Sequence, residues 1–340
     1  MIFKAMKFLT SFLIFFIFFF TKVYAGEPIG FITEIDGQSK KINEDKKEVK
    51  LNIFDQISVD ESISVESLSS VTFLLKDNSI LTLKNGAVAK IIDFDDQSSK
   101  PKLILSVDEG EFIFESGTIS KLPNAEVKIV LPNSEINLSG TRVGGSISKE
   151  DNSEKIYLAE DSFGNVGEIT ISTSSGEIQT ISEPNKGINV SQGQQIVEAE
   201  LNEEEIQNVS EGFQESVLKS TVLDEKSIEK ELTRRYAQGG YDSLDDVNTY
   251  KGDIMNIFQD RFSYIAEESG EGSVDFLADI MAGSDMASST YMMETMMEAN
   301  PEYVGEIVEN LIDSNSMMFF EEENIDLQEK MFETVAQYST

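Results

Sequence analysis

The sequence predicts an α+β chain with its two kinds of secondary structure segregated: an all-β N-terminal region, then an all-α C-terminal region of short helices. Three observations predict it. From about Gly30 to Val197, apolar residues recur with period two in short runs separated by Gly, Pro, Asn and Asp, as in strands joined by tight turns. No helix-length pattern interrupts those runs. After Val222 the apolar spacing changes to one face of a 3.6-residue period.

The first 25 residues, "MIFKAMKFLTSFLIFFIFFFTKVYA", read as an export signal. Lys4 and Lys7 precede an apolar run from Phe8 to Phe20, and Val23-Tyr24-Ala25 places small residues where a signal peptidase reads. Cleavage is expected after Ala25. The rival reading is an uncleaved anchor, but the apolar run falls short of the roughly 20 residues needed to span a bilayer. No later stretch is apolar enough to cross a membrane, so a soluble periplasmic or extracellular chain without stable membrane insertion is expected.

Residues 26–200 form the expected β domain. "VTFLLKDNSILTL" (71–83) alternates, breaks at Asp77-Asn78 and resumes. "LILSVDEGEFIFE" (103–115) is expected to turn at Asp108-Glu109-Gly110, "VKIVLPNSEINL" (127–138) at Pro132-Asn133, and "EITISTSSGEIQTI" (168–181) at Ser175-Gly176. The cluster Asp93-Phe94-Asp95-Asp96 reads as a solvated turn rather than a calcium site.

A polar, Glu-rich segment at 201–221 is expected to be a mobile linker, leaving 222–340 as a separate, less stable helical region. In "SLDDVNTYKGDIMNIFQDRFSYI" one face holds Val247, Tyr250, Ile254, Ile257, Phe258 and Ile265, with Ser243 and Asp246 placed as a capping box. Short helices follow at Val274–Ala282, Tyr291–Ala299, Pro301–Ile312 and Leu327–Gln337, with Ser273 and Asn300 as candidate caps. Phe276-Leu277, Tyr291-Met292 and Val304 begin similar patterns about 15 and 13 residues apart, a weak repeat that buries apolar faces only by stacking.

Composition narrows function. There is no Cys, no His and no Trp among 340 residues. Disulfides, thiolate sites, the usual zinc ligand and Ser-His-Asp triads are therefore excluded. No catalytic residue, metal site or cofactor is assigned, and the chain is not expected to be an enzyme; a glycosidase would still need two carboxylates about 5–9 Å apart in a cleft. The net charge of −35 repels phosphate backbones, so nucleic acid is not an expected partner. Weak divalent-cation attraction remains open. Residues 201–340 carry 32 acids against 8 bases. The same region holds Met286, Met292, Met293, Met296, Met297, Met317 and Met318, read either as core filler or as an adaptable protein-binding groove.

Four stretches, "IGFITEIDGQ", "DNSILTLKNGAVAKI", "LSVDEGEFIFESG" and "VKIVLPNSEINLSGTRVGG", together resemble the FecR domain family over about residues 28–195. Asp77 and Ser79 match its first turn, with Asn78 where glycine is usual. Gly110 matches its second element. Pro132, Gly140 and Thr141 match its third, with Leu131 in place of Thr and Arg142 where Glu or Ser is common. The resemblance implies an exported β domain, solenoid or sandwich-like, that senses or binds. Regulators of this family carry a cytoplasmic anti-sigma segment and a membrane span where this chain has its export signal, so their regulatory role does not transfer. Within "INLSGTRVGG", Gly140 is expected to form a corner, Thr141 to bond local backbone and Arg142 to pair with an acid. Arg142, Thr141, Met292, Met293, Met296 and Met297 are the candidate contacts to a ligand or partner. The expected function is a non-enzymatic exported binding or scaffold protein with a protein partner in the cell envelope. The alternative is a periplasmic sensor or signalling component responding to an outer-membrane partner or envelope stress.

Overall fold

The computed structural model describes residues 28–42, 47–192, 195–222, 224–270 and 273–313, together with Glu329, Glu333 and Ala336. The export segment 1–25, Met317, Met318 and, apart from Glu329, Glu333 and Ala336, the helix expected over Leu327–Gln337 lie outside these residues.

Two long strands organise the β region. β7 (Ile80–Asp95) and β8 (Lys102–Glu115) run antiparallel, and their register shifts between Lys84 and Val88. On one side of that shift the first halves of a wing assemble: β4 (Gln56–Ser58), β1 (Pro28–Asp36), β6 (Ser70–Leu75), Ile80–Lys84 of β7 and 111–115 of β8. β11 (Arg142–Ser148), β12 (Ser153–Ala159), β15 (Lys186–Val190) and β16 (Ile196–Glu200) complete it. On the other side lie β3 (Glu48–Lys50), β2 (Ser39–Ile42), β5 (Ser62–Val65), the far half of β7 and the near half of β8. β9 (Glu126–Val130), β10 (Ser134–Ser139), β13 (Glu168–Thr173) and β14 (Ile178–Ile181) follow. Among the described residues all strand pairings are antiparallel except β8 with β9. This mostly antiparallel sheet, in which β10 pairs β13, β8 pairs β11 and β12 pairs β15 across long stretches of sequence, is not the coil of parallel rungs that a solenoid needs, and it ends in free strands.

The turn expected at Asp108-Glu109-Gly110 is instead a bend inside one continuous strand. Gly110 sits at φ +80°, and a Cβ there would lie 2.3 Å from the Ala87 Cα. A side chain would collide with backbone, so glycine is what lets β7 and β8 cross at the bend. The other expected turns occur where the strands stop, at 131–133 and 174–177. Asp93 and Asp95 fall on the end of β7; Asp93 pairs with Lys102 at 2.5 Å, and Asp95 accepts from the amides of Gln97 and Ser98.

Both wings feed one hydrophobic cluster, with Phe73, Phe114, Val143 and Ile188 from the first and Ile63, Leu105, Ile136 and Ile171 from the second. The first wing is also covered on its other face. Phe31, Leu74, Ile80 and Ile113 leave the sheet core and join the helical cluster instead. That double burial explains why "SVTFLL" is apolar at consecutive positions.

The segment expected as a linker is helix α1 (Glu203–Lys219). Asn202 and Glu205 close a full capping box, each side chain bonding the other's backbone amide. Phe213 and Val217, one turn apart, are fully buried. α2 (Glu225–Ala237) is capped by Asp224, α3 (Leu244–Glu268) by Ser243, and α5 (Met286–Ala299) by Asp285. α4 (Val274–Gly283) and α6 (Val304–Asp313) lack side-chain caps from the expected residues. Ser273 Oγ is buried without a partner, and Asn300 points its amide at the carbonyls of Ala266 and Ser269, tying α5 back to α3.

Candidate functional site

The densest chemistry lies where the first wing meets the helices. Glu115 ends β8, Arg142 begins β11 directly opposite it, and Arg261 descends from α3. All three are buried, at 2 %, 2 % and 0 % exposure. Arg142 grips one carboxylate oxygen of Glu115 through Nη2 at 2.7 Å and Nε at 3.2 Å. The same oxygen accepts from the Ser162 amide (2.9 Å) and hydroxyl (2.8 Å). Arg261 reaches the other oxygen at 3.4 Å and donates to the Asn78 carbonyl at 2.8 Å. The helices supply the remaining walls: Gln214 of α1 accepts from Arg142, whose guanidinium lies 4.4 Å from the Phe213 ring centroid.

Electrostatics favour this charged arrangement. Burial alone would raise the Glu115 pKa, but the Arg142 and Arg261 cations, with hydrogen bonds from Arg142 and Ser162, outweigh it and hold the carboxyl below its ordinary value. Two cations around one anion leave an excess positive charge in the interior, softened by the π faces of Phe213 and Tyr264.

The family-like motif residues gather around this knot. Asp77 accepts from the Ser79 amide and hydroxyl, and Ser79 Oγ accepts from Gly117 N at 2.8 Å. Asn78 adopts φ +67°, which turns its carbonyl toward Arg261. Burial pushes the Asp77 carboxyl up to about 6, against the pull of its Ser79 and Ile119 hydrogen bonds. Gly140 adopts φ +61° with open space around it, so the position needs the conformation rather than the room. Thr141 is buried; its amide donates to Ser116 Oγ, and its hydroxyl bonds the Ala159 carbonyl and accepts from Gly167 N. Pro132 and Gly110 lie elsewhere: Pro132 at the β9–β10 turn, beside the Asn133 and Ser134 contacts to Glu154, and Gly110 at the bend.

As contacts for an outside molecule the candidates fare poorly. Thr141 and Arg142 are enclosed and engaged within the protein. Met292, Met293 and Met296 are 2 %, 2 % and 0 % exposed in the helical core, and Met297 packs against it half-buried. A groove needs its methionines at the surface, and α5 turns them inward. Sequence reasoning missed Glu115, Arg261, Ser162 and Gln214. Arg261 was the detectable one, because a lone arginine interrupts the apolar face "IFQDRFSYI". Among the described residues no group of three or more acidic side chains could hold a metal ion, and no helix is long and apolar enough to cross a membrane.

No family profile matches the chain, and no curated protein matches it. Two crystal structures of a protein from Parabacteroides distasonis, described provisionally as an anti-sigma factor, are similar at 16 % identity with a TM-score of 0.36. The likeness covers 45 % of this chain and 64 % of that one, so the chain spans just under two thirds of that protein's length.

Proposed function

We propose that this chain is a non-enzymatic binding protein of the bacterial cell envelope, a FecR-like β scaffold with helices fixed to its outer face. The observation that carries the reading is the closure of its most reactive constellation. Glu115, Arg142 and Arg261 are sealed from solvent and bonded to Ser162, Asn78 and Gln214, with Arg261 Nε left as a buried donor without a partner. A catalytic acid, base or anion clamp has to reach its substrate; these groups instead join β8, β11, α1 and α3. The absence of His and Cys from the sequence supports the same reading. The family component rests on the Asp77–Ser79 turn, Gly110, Pro132 and the Gly140-Thr141 corner, and export rests on residues 1–25.

Fractionation of cells expressing the whole chain, with mass spectrometry of the mature N-terminus, tests the placement. Release from the periplasm with Gly26 as first residue is expected. Retention in the cytoplasm with Met1 intact refutes it. Chemical crosslinking in intact cells tests the binding role, and recovery of the protein free of any specific envelope partner would count against it.

A further inference from the structure

Among the described residues β14 and β16 are two of the sheet's four edge strands, with β3 and β4, and their outward main-chain groups can be identified from register. Thr173 N–H donates to Glu177 O at 3.0 Å, which makes that pair hydrogen-bonded. Antiparallel pairs alternate, so Ile171:Gln179 and Ile169:Ile181 carry the β13–β14 ladder. The N–H and C=O groups of Ile178 and Thr180 therefore face away from β13. On β15–β16 the Ser191 N–H donates to Gln195 O at 3.4 Å, so the outward groups of β16 belong to Ile196, Glu198 and Glu200. The Glu177 carboxylate, from the turn into β14, accepts from Ile196 N at 2.8 Å. That contact brings these two edges to the same place. Between them lies a cavity of about 350 Å3 lined by Gln179, Thr180, Glu183, Lys186, Glu198 and Glu200.

We infer that this seam receives an extended, basic segment of a partner protein, added as a strand to β14 with the β16 glutamates facing it. Exposed edges recruit strands through main-chain bonds, while alternate side chains supply specificity. Ile178 and Val197, 70 % and 57 % exposed, offer apolar contacts beside the edges. Three glutamates against one lysine line the cavity, so the matching side chains are Lys and Arg. A second copy of this chain is disfavoured as occupant by its charge of −35. The inference rests on the binding-protein reading and moves the contact surface from the buried methionines to the sheet edge.

The test uses the intact protein and a fluorescent nine-residue peptide alternating Lys and Val, with a Glu/Val peptide as control. Thr180→Pro removes an outward N–H that β13 does not use, a change edge strands tolerate. The paired Glu198→Lys and Glu200→Lys variant reverses charge without touching the core. The Lys/Val peptide should bind, weaken with added salt, and bind at least tenfold more weakly to either variant while circular dichroism stays native. Amides of Ile178 and Thr180 should slow their hydrogen exchange on binding. Equal affinity for Thr180→Pro, or binding without amide protection, would reduce the effect to surface charge and overturn the inference. Self-association of the protein abolished by Thr180→Pro would make the occupant a second copy and also overturn it. Envelope partners captured equally by wild type and Thr180→Pro would leave the binding role standing and remove this surface from it.

Discussion

Replacing Glu115 with Gln keeps the shape of the side chain and removes the only carboxylate that Arg142 and Arg261 share. The oxygen that takes four donors at 2.7–3.2 Å becomes a neutral amide end. Two buried guanidinium groups then lose the carboxylate they share. Breaking a buried pair from one side costs about 3–5 kcal/mol, because the surviving charge is left uncompensated. Arg142 keeps Ser162, Gln214 and the Phe213 face, and Arg261 keeps Asn78 O; about 4 kcal/mol is therefore the expected loss. That is a large part of the ~5–15 kcal/mol that stabilises a typical protein. At about 2–4 °C per kcal/mol for a chain of this size, Tm should fall by roughly 8–16 °C. Far-ultraviolet circular dichroism melts and urea titrations measure it. The triple change Glu115→Leu, Arg142→Met, Arg261→Met should recover most of the loss, since an apolar replacement leaves no charge stranded. A Glu115→Gln protein within about 1 kcal/mol of wild type would refute the reasoning that this knot joins the two regions.

Other consequences follow from neighbouring groups. Asp77, raised from 3.8 to about 6 by burial, is protonated more readily folded than unfolded. Its contribution to stability is therefore full below about 4 and lost as pH rises through 6, an effect of about 3 kcal/mol; Asp77→Asn should flatten that part of the urea-stability profile, and an unchanged slope would contradict it. Gly110→Ala combines φ +80° with a 2.3 Å backbone collision and should cost more than about 4 kcal/mol. Gly176→Ala, at φ +90° with open space, should cost only about 1 kcal/mol; similar Tm values for the two would sink the argument. Met296→Leu should cost under about 1.5 kcal/mol, and Met296→Ala about 2–5 kcal/mol. If Met296 served a surface groove, both would be close to neutral.

Much of the fold was legible because strands and helices carry local signals. The turns at Asp77-Asn78 and Pro132-Asn133, the cap at Ser243 and the amphipathic face of α3 all depend on residues within one turn or hairpin. What escaped was non-local. Gly110 looks like a turn residue, and only the approach of Ala87 makes it a bend in a continuous strand. α1 was read as a charged linker because Glu203-Glu204-Glu205 dominate its start, although Asn202 and Glu205 already spell its capping box. Three capping or partner assignments failed for the same reason. Ser273, Asn300 and the methionines of α5 have the right local spacing, but tertiary packing directs them elsewhere. The site was half visible: Arg142 was expected to pair with an acid, but 27 residues separate it from Glu115 and 146 separate Glu115 from Arg261. No short-range pattern encodes contacts of that span.

Sheet and helices form one body, because Phe31, Leu74, Ile80 and Ile113 complete the helical core and Arg261 ends in the β site. Amide hydrogen exchange in increasing urea tests this directly, by comparing peptides from Phe258–Tyr264 of α3 with peptides from Phe112–Glu115 of β8. One body predicts that both sets converge on a single opening free energy with one urea slope. Early exchange of the α3 peptides at a separate, much lower free energy, with β8 still protected, would contradict it.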